Sequence, residues 1–128
     1  MTLALIIEDN DDNMELISIL LQNEGYELCK AIDGPAGVQM AIQNNPDLII
    51  CDIQLPGFDG VEALRRIRES PECQGAVVVA MTSYAMAGDR ERLLGAGFDG
   101  YIEKPINPLR VIQQIKTFIE KSHENRHR

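Results

Sequence analysis

Four short apolar runs in the sequence each end in a polar side chain that suits metal or phosphate chemistry. These side chains are Glu8 with Asp9, Asp52, Thr82, and Lys104. The apolar runs predict parallel strands, and the C-terminal ends of such strands lie along one edge of an open sheet. Three carboxylates, a hydroxyl and an ammonium group at one edge predict a site for a divalent metal and a phosphoryl group.

The carboxylates at this edge need a partner. Two carboxylates about 4 Å apart repel each other by roughly 4 kcal/mol at an effective dielectric of about 20. Asp9 and Asp52 therefore require a proton or a bridging cation, and an all-oxygen set of ligands suits Mg²⁺. Glu8 and Asp9 taken alone could instead serve only to favour the dipole of the first helix. The position of Asp52 at the end of another central strand favours the metal.

Asp52 has the position of a nucleophile. A carboxylate beside a metal can attack a phosphoryl group and form an acyl phosphate. Thr82 and Lys104 offer a hydroxyl and a positive charge to the same phosphoryl group. Asp52 could also begin a turn before Pro56 and Gly57, but these turn residues lie several positions further along the chain.

The order of the elements predicts the fold. Short apolar runs alternate with amphipathic segments, and parallel strands need right-handed crossover helices. The sequence therefore predicts an α/β domain, a three-layer doubly wound (βα)5 unit with a five-stranded parallel sheet. The strands are predicted at Leu3–Ile7, Leu28–Ile32, Leu48–Cys51, Ala76–Met81 and, within the run Gly100–Glu103, at Tyr101–Ile102. We expect the domain to span residues 1–121 and residues 122–128, which lose the apolar periodicity, to form a frayed tail.

Composition restricts the functional class. The 128 residues carry a formal net charge of -8, which argues against direct nucleic-acid binding. No apolar stretch approaches the roughly 20 residues that a bilayer span requires, so we expect no membrane association. The three cysteines lack the spacing of a metal or redox motif, which favours a reducing, cytoplasmic location.

Four motifs in this order resemble those of the response-regulator receiver domain, the CheY-like family. They are Glu8-Asp9-Asn10, the stretch from Asp52 to Gly60, Thr82-Ser83, and Tyr101-Ile102-Glu103-Lys104-Pro105. The resemblance spans essentially the whole chain, and it is strongest to single-domain receivers of the DivK type and to receivers of hybrid sensor kinases. It implies a flavodoxin/CheY-like fold and a role in two-component signal transduction or a phosphorelay.

The resemblance implies that Asp52 is the phosphoacceptor. The phosphoryl group would come from a phosphohistidine of a sensor histidine kinase or of a histidine phosphotransfer protein. The implied cofactor is Mg²⁺, with Mn²⁺ as a substitute. Its ligands would be Asp9, Asp52 and the backbone carbonyl of Gln54, with Glu8 reaching the metal through a water molecule.

The resemblance also assigns roles around the phosphoryl group. Thr82, Ser83 and Lys104 would bind its oxygens. Gln54 and Tyr84 flank it, at positions that tune dephosphorylation in the family. The bulk of Tyr84 predicts a phosphorylated lifetime of minutes or longer, since it could screen attacking water.

The implied output is a change of surface shape. Thr82 and Tyr101 correspond to the switch residues, and the Lys104–Pro105 bond corresponds to one that is cis in the family. A downstream protein would bind the surface of the fourth helix, fifth strand and fifth helix. The chain is expected to act as a monomer or a phosphorylation-promoted dimer. It is expected to catalyse only its own phosphorylation and dephosphorylation.

Three other functions compete with this interpretation. A Mg²⁺-dependent phosphatase uses an aspartyl nucleophile, but that class has a second acid where this chain has Gln54. A binding module that has lost phosphorylation is disfavoured because competent residues occupy all five core positions. A nucleotide or flavin binder is disfavoured because Glu8-Asp9-Asn10 follows the first strand in place of a glycine-rich loop.

Overall fold

The computed structural model describes residues 2–83 and 88–126, and within them five strands alternate with five α-helices. The strands are β1 (Leu3–Ile7), β2 (Glu27–Ala31), β3 (Leu48–Asp52), β4 (Val77–Thr82) and β5 (Gly100–Glu103). The helices are α1 (Asp11–Asn23), α2 (Gly34–Asn44), α3 (Gly60–Glu69), α4 (Asp89–Ala96) and α5 (Val111–Arg126). A short 3-10 turn, Pro71–Cys73, follows α3.

All five strands are parallel and lie in the order β2-β1-β3-β4-β5. This arrangement confirms the predicted doubly wound fold. The strand boundaries differ from the prediction by one residue at several ends. Ile32, which was predicted to end the second strand, lies outside β2 and is exposed, whereas Asp52 and Thr82 are paired within β3 and β4. The ladder continues through these two polar residues because their backbone groups still find partners on the neighbouring strand.

Two apolar layers cover the two faces of the sheet. Alternate residues of each strand point to opposite faces, so Leu5 belongs to the apolar layer that includes α2, α3 and α4, and Ile6 belongs to the layer that includes α1 and α5. Both faces are buried, which explains why β1 is a continuous apolar run and does not alternate with polar residues.

Helices α1, α2 and α3, which follow the C-terminal edge of the sheet, begin at side-chain caps. Asn10 accepts a hydrogen bond from the backbone N–H of Asn13 at the start of α1. Asp33 and Asp59 each accept a backbone N–H of the following first turn, through a carboxylate oxygen, at the starts of α2 and α3. Such caps satisfy N–H groups that have no partner within the helix. They therefore hold the short loops between the strand ends and the helices.

Helix α5 is 16 residues long and continues past the predicted domain end at residue 121. Ser122 is buried, so the chain still packs at this point. The boundary at residue 121 and the frayed tail stay predictions. In residues 2–83 and 88–126, no helix has both the length and the apolar character needed to cross a bilayer.

An arginine near the C-terminal end of α3 joins elements at the N-terminal edge of the sheet, the edge opposite the predicted site. Arg68 donates hydrogen bonds to the carbonyl of Ala76 at 2.8 Å and to that of Cys73 at 3.1 Å. Its other terminal nitrogen lies 3.0 Å from the carboxylate of Asp99, and this carboxylate accepts the backbone N–H of Val78 at 2.8 Å. Since the guanidinium is half-buried, these contacts join α3, β4 and the start of β5.

We expect Arg68→Ala to lower the free energy of unfolding by about 2 kcal/mol, since it leaves carbonyls and a carboxylate without a charged donor. The matched control is Arg65→Ala on the same helix. Arg65 pairs with Glu62 and Glu69 at the surface, and its loss should lower the free energy of unfolding much less than the loss of Arg68. Urea denaturation measures both values, and equal losses would contradict this account of Arg68.

Candidate functional site

The site lies where the chain leaves two neighbouring strands in opposite directions. β1 and β3 are adjacent, but β1 leads into α1 on one face of the sheet, whereas β3 leads into α3 on the other. This divergence opens a crevice at the C-terminal edge, which is where open α/β sheets bind their ligands. Asp9 follows β1 and Asp52 ends β3, so both carboxylates border the crevice.

Three carboxylates meet in this crevice. Glu8, Asp9 and Asp52 each place one oxygen so that the three oxygens lie within 4.8 Å of one another. Glu8 and Asp52 are buried, with 1% and 4% of their surface exposed, whereas Asp9 is exposed. A group of this kind, open to solvent on one side and composed only of oxygen donors, fits a divalent cation such as Mg²⁺. The donor set thus meets the requirement that the sequence predicted.

Lys104 reaches the same carboxylates from the end of β5. Its Nζ donates to Oδ2 of Asp52 at 2.9 Å and lies 2.8 Å from Oε1 of Glu8. The contact with Glu8 has the distance of an ion pair but lacks the geometry of a directed hydrogen bond. The backbone of Lys104 is held as well, because its N–H donates to the carbonyl of Thr82 at 2.8 Å. The ammonium group therefore balances part of the buried negative charge.

The pKa values reflect this crowding. Burial, followed by the contact with Asp52, raises the pKa of Glu8 from 4.5 to about 7, against the opposing effect of Lys104. Burial acts to lower the pKa of Lys104, but its contacts with the Glu8 and Asp52 carboxylates outweigh that effect and raise the pKa above its ordinary value. The cluster therefore favours a protonated lysine and disfavours a further negative charge.

The other predicted site residues lie around the carboxylates. Thr82 is the last residue of β4 and is buried, and Ser83 follows it at the surface. Gln54 is exposed, and its backbone N–H donates to Oδ1 of Asp52 at 3.3 Å. Tyr84 lies outside the described residues. The structure thus brings Gln54 to Asp52 and puts Thr82 on the adjacent strand.

Tyr101 lies away from the carboxylates, on β5. Its side chain is half-buried and packs against the apolar layer that includes α3 and α4. It also borders an open cavity of about 530 Å³ whose wall contains Arg90 from α4 and Phe118 from α5. The Lys104–Pro105 bond, at the end of the same strand, is cis.

One contact in the site was not anticipated from the sequence. Lys104 was assigned to a phosphoryl oxygen, and Glu8 to a water molecule on the metal, but the two side chains contact each other. The sequence contains no signal for this ion pair. It depends on the two side chains converging on the crevice from β1 and β5, which are not neighbours in the sheet.

Comparisons with known proteins identify the family of the chain. The family model for the response regulator receiver domain matches residues 4–116. The polar-differentiation response regulator DivK of Brucella ovis is 38% identical over 116 residues, which cover 91% of this chain and 94% of the relative. DivK of Brucella abortus strain 2308 gives the same identity and coverage.

Solved structures are similar over nearly the whole chain. One is the receiver domain of the sensor histidine kinase PA1611 from Pseudomonas aeruginosa, with a magnesium ion coordinated in its active site cleft. It has a TM-score of 0.83 and 32% identity, and the match covers 93% of this chain and 98% of that one. The chemotaxis response regulator CheY4 of Vibrio cholerae shares the fold at a TM-score of 0.86 and 24% identity, covering 92% and 98% of the two chains. The chain therefore belongs to the response regulator receiver domain family of two-component signalling.

Proposed function

We propose that this receiver domain is a phosphorylation switch in which Asp52 accepts a phosphoryl group from a phosphohistidine. The observation that carries the proposal is the position of the Asp52 carboxylate. It ends the central strand, lies beside two other carboxylates, and contacts the ammonium group of Lys104. A nucleophile flanked by a cation and a metal-binding cluster matches the requirements of phosphoryl transfer.

In the proposed reaction, a carboxylate oxygen of Asp52 attacks the phosphorus atom of the phosphohistidine. An O–P bond forms, the P–N bond breaks, and its electron pair remains on the imidazole nitrogen of the donor. Lys104 is positioned to bind an oxygen of the transferred group, because its Nζ already lies 2.9 Å from Asp52. The hydroxyl of Thr82 and the backbone of Ser83, at the end of the adjacent strand, would bind the remaining oxygens.

Asp9, Asp52 and the backbone carbonyl of Gln54 would hold Mg²⁺, with Glu8 acting through water. The three converging carboxylates support this assignment, as does the magnesium ion in the cleft of the PA1611 receiver domain. When bound, the ion would neutralise negative charge on the carboxylates and on the phosphoryl oxygens. Mn²⁺ should substitute, since it accepts the same oxygen ligands.

The proposed output is read on the face formed by α4, β5 and α5. Phosphorylation adds close to two negative charges, and it can shift an equilibrium only through contacts that differ between two states. Movement of Thr82 onto a phosphoryl oxygen would free space for Tyr101 to turn inward. Tyr101 borders the open cavity on this face, so its movement would change the surface that a downstream protein contacts. The chain would act as a monomer or as a dimer promoted by phosphorylation.

We place this switch in the cytoplasm. Cys29, Cys51 and Cys73 are all free thiols, which suits a reducing compartment. The acidic net charge of -8 favours protein partners over nucleic acid.

Mg²⁺ should stabilise the metal-free protein, because it binds the folded carboxylate cluster and not the unfolded chain. The gain approaches about 2.7 kcal/mol when Mg²⁺ exceeds its Kd about 100-fold. Asp9→Asn should remove most of this gain, and Asp12→Asn, in the first turn of α1, should keep it. Thermal denaturation in Mg²⁺ and in EDTA measures the effect. An Asp9→Asn protein that Mg²⁺ stabilises as strongly as wild type would contradict the assigned ligand.

Incubation with acetyl phosphate and Mg²⁺ should add the mass of one phosphoryl group, and EDTA should prevent it. Asp52→Asn should show no gain, because an amide is not a competent nucleophile. Asp59→Asn is the matched control, since Asn is an equally good cap for α3 and leaves the nucleophile intact. Intact-protein mass spectrometry measures the mass gained by each protein. Phosphorylation of Asp52→Asn at the wild-type rate would reject the proposed acceptor.

Thr82→Ala should still bind fluoroberyllate at Asp52 but lose most of the accompanying amide shift changes at Tyr101 and along α4. The reason is that the hydroxyl of Thr82 would link the phosphoryl group to the face formed by α4, β5 and α5. Thr117→Ala removes a hydroxyl that bonds Gln113 within α5 and should keep the changes. Wild-type shift changes in Thr82→Ala, measured by heteronuclear NMR, would disprove this coupling.

A further inference from the structure

The loop between β3 and α3, residues 53–59, is held against the start of α2, and we call it the site loop. It begins directly after Asp52 and contains Gln54. Two hydrogen bonds fix its base: the N–H of Ile53 donates to the carbonyl of Met81 at 3.0 Å, and the N–H of Gly60 donates to the carbonyl of Ile53 at 2.8 Å. The outer half of the loop extends from this base towards α2.

The outer half of the site loop contacts the first turn of α2 so closely that neither side has room for another carbon atom. The N–H of Gly34 donates to the carbonyl of Pro56 at 3.1 Å. A Cβ atom on Gly34 would lie 2.6 Å from the carbonyl oxygen of Phe58 and 2.8 Å from its ring. Gly57 has a φ of +85°, and a Cβ atom there would lie 2.7 Å from Pro35. The loop can therefore take this position only with glycine at both places.

The ring of Phe58 is held from a second side by α3. The guanidinium carbon of Arg66 lies 4.2 Å from the centre of the ring, within the range of a cation–π contact. Arg66 is itself held by Glu62, whose carboxylate lies 2.7 Å from Nε. Phe58 thus connects the site loop to α2 at Gly34 and to α3 at Arg66.

We propose that Gly34 and Phe58 are positioning residues for the metal site. The inference rests on the proposed function, because it concerns the loop whose Gln54 carbonyl would complete the set of Mg²⁺ ligands. Asp52 ends β3 within the sheet, and Asp9 lies in the short connection after β1, next to the Asn10 cap of α1. Gln54 lies on a loop, and the contact between Gly34 and Phe58 restrains that loop. Loosening it therefore weakens the metal site without removing a ligand.

The test compares Gly34→Ala and Phe58→Ala with wild type in a Mg²⁺ titration followed by amide chemical shifts. Both variants should bind Mg²⁺ about tenfold more weakly, as is typical when the residues that support a ligand are changed. Phe58→Tyr keeps the ring and should bind within about twofold of wild type. Gly95→Ala is the matched control: it is also a helical glycine, but a Cβ atom there has open space around it.

Two further measurements separate positioning from a general loss of stability. Arg68→Ala weakens the fold from the opposite edge of the sheet and should leave Mg²⁺ affinity unchanged. At saturating Mg²⁺, Gly34→Ala and Phe58→Ala should regain the wild-type rate of phosphorylation by acetyl phosphate, with only the half-saturating Mg²⁺ concentration raised.

The outcomes distinguish the two proposals. Wild-type protein that binds no Mg²⁺ and is never phosphorylated overturns the proposed function, and the positioning role with it. If wild-type protein binds Mg²⁺, and folded Gly34→Ala and Phe58→Ala bind it with the same affinity, the positioning role alone is overturned. Circular dichroism establishes that each variant is folded, and Phe58→Ala still decides the question if Gly34→Ala fails to fold.

Discussion

Repulsion between buried carboxylates is the constraint on which the rest of this site depends. Glu8 and Asp52 are almost completely buried, and their oxygens converge with one from Asp9. Carboxylates so close together cannot all remain charged without a cation. In this structure Lys104 supplies one positive charge to Glu8 and Asp52, while burial, followed by the contact with Asp52, raises the pKa of Glu8. The site is therefore suited to take up a divalent cation.

The sheet makes this crowding possible because its topology separates the helices that follow β1 and β3. The neighbouring strands end side by side, but α1 and α3 lie on opposite faces. The crevice between them receives Asp9 and Asp52 on short, capped connections. Apolar packing on both faces holds the strand ends in place. The free energy gained by burying the core therefore offsets the repulsion between the carboxylates.

The site loop and the contacts between β4 and β5 show how the site is connected to the rest of the domain. The loop after Asp52 is held by close packing with α2, through Gly34, and by the contact between Phe58 and Arg66. On the other side of Asp52, the backbone N–H of Lys104, just after β5, donates to the carbonyl of Thr82 at the end of β4. Tyr101 lies on β5, the strand that leads to Lys104. Each connection is a direct contact between elements, so a change at Asp52 has a physical route to the surface.

The sequence by itself determined the fold class and predicted which carboxylates meet in the crevice, because apolar runs and the polar residues that end them are local patterns. It placed Asp52 at a strand end, and it placed Thr82 and Lys104 where two other strands end. It did not determine the pairing of Lys104 with Glu8, or the packing of Phe58 against Gly34, since these residues are distant in sequence. Only the tertiary structure decided those contacts, because they depend on which elements the sheet order and the crossovers bring together.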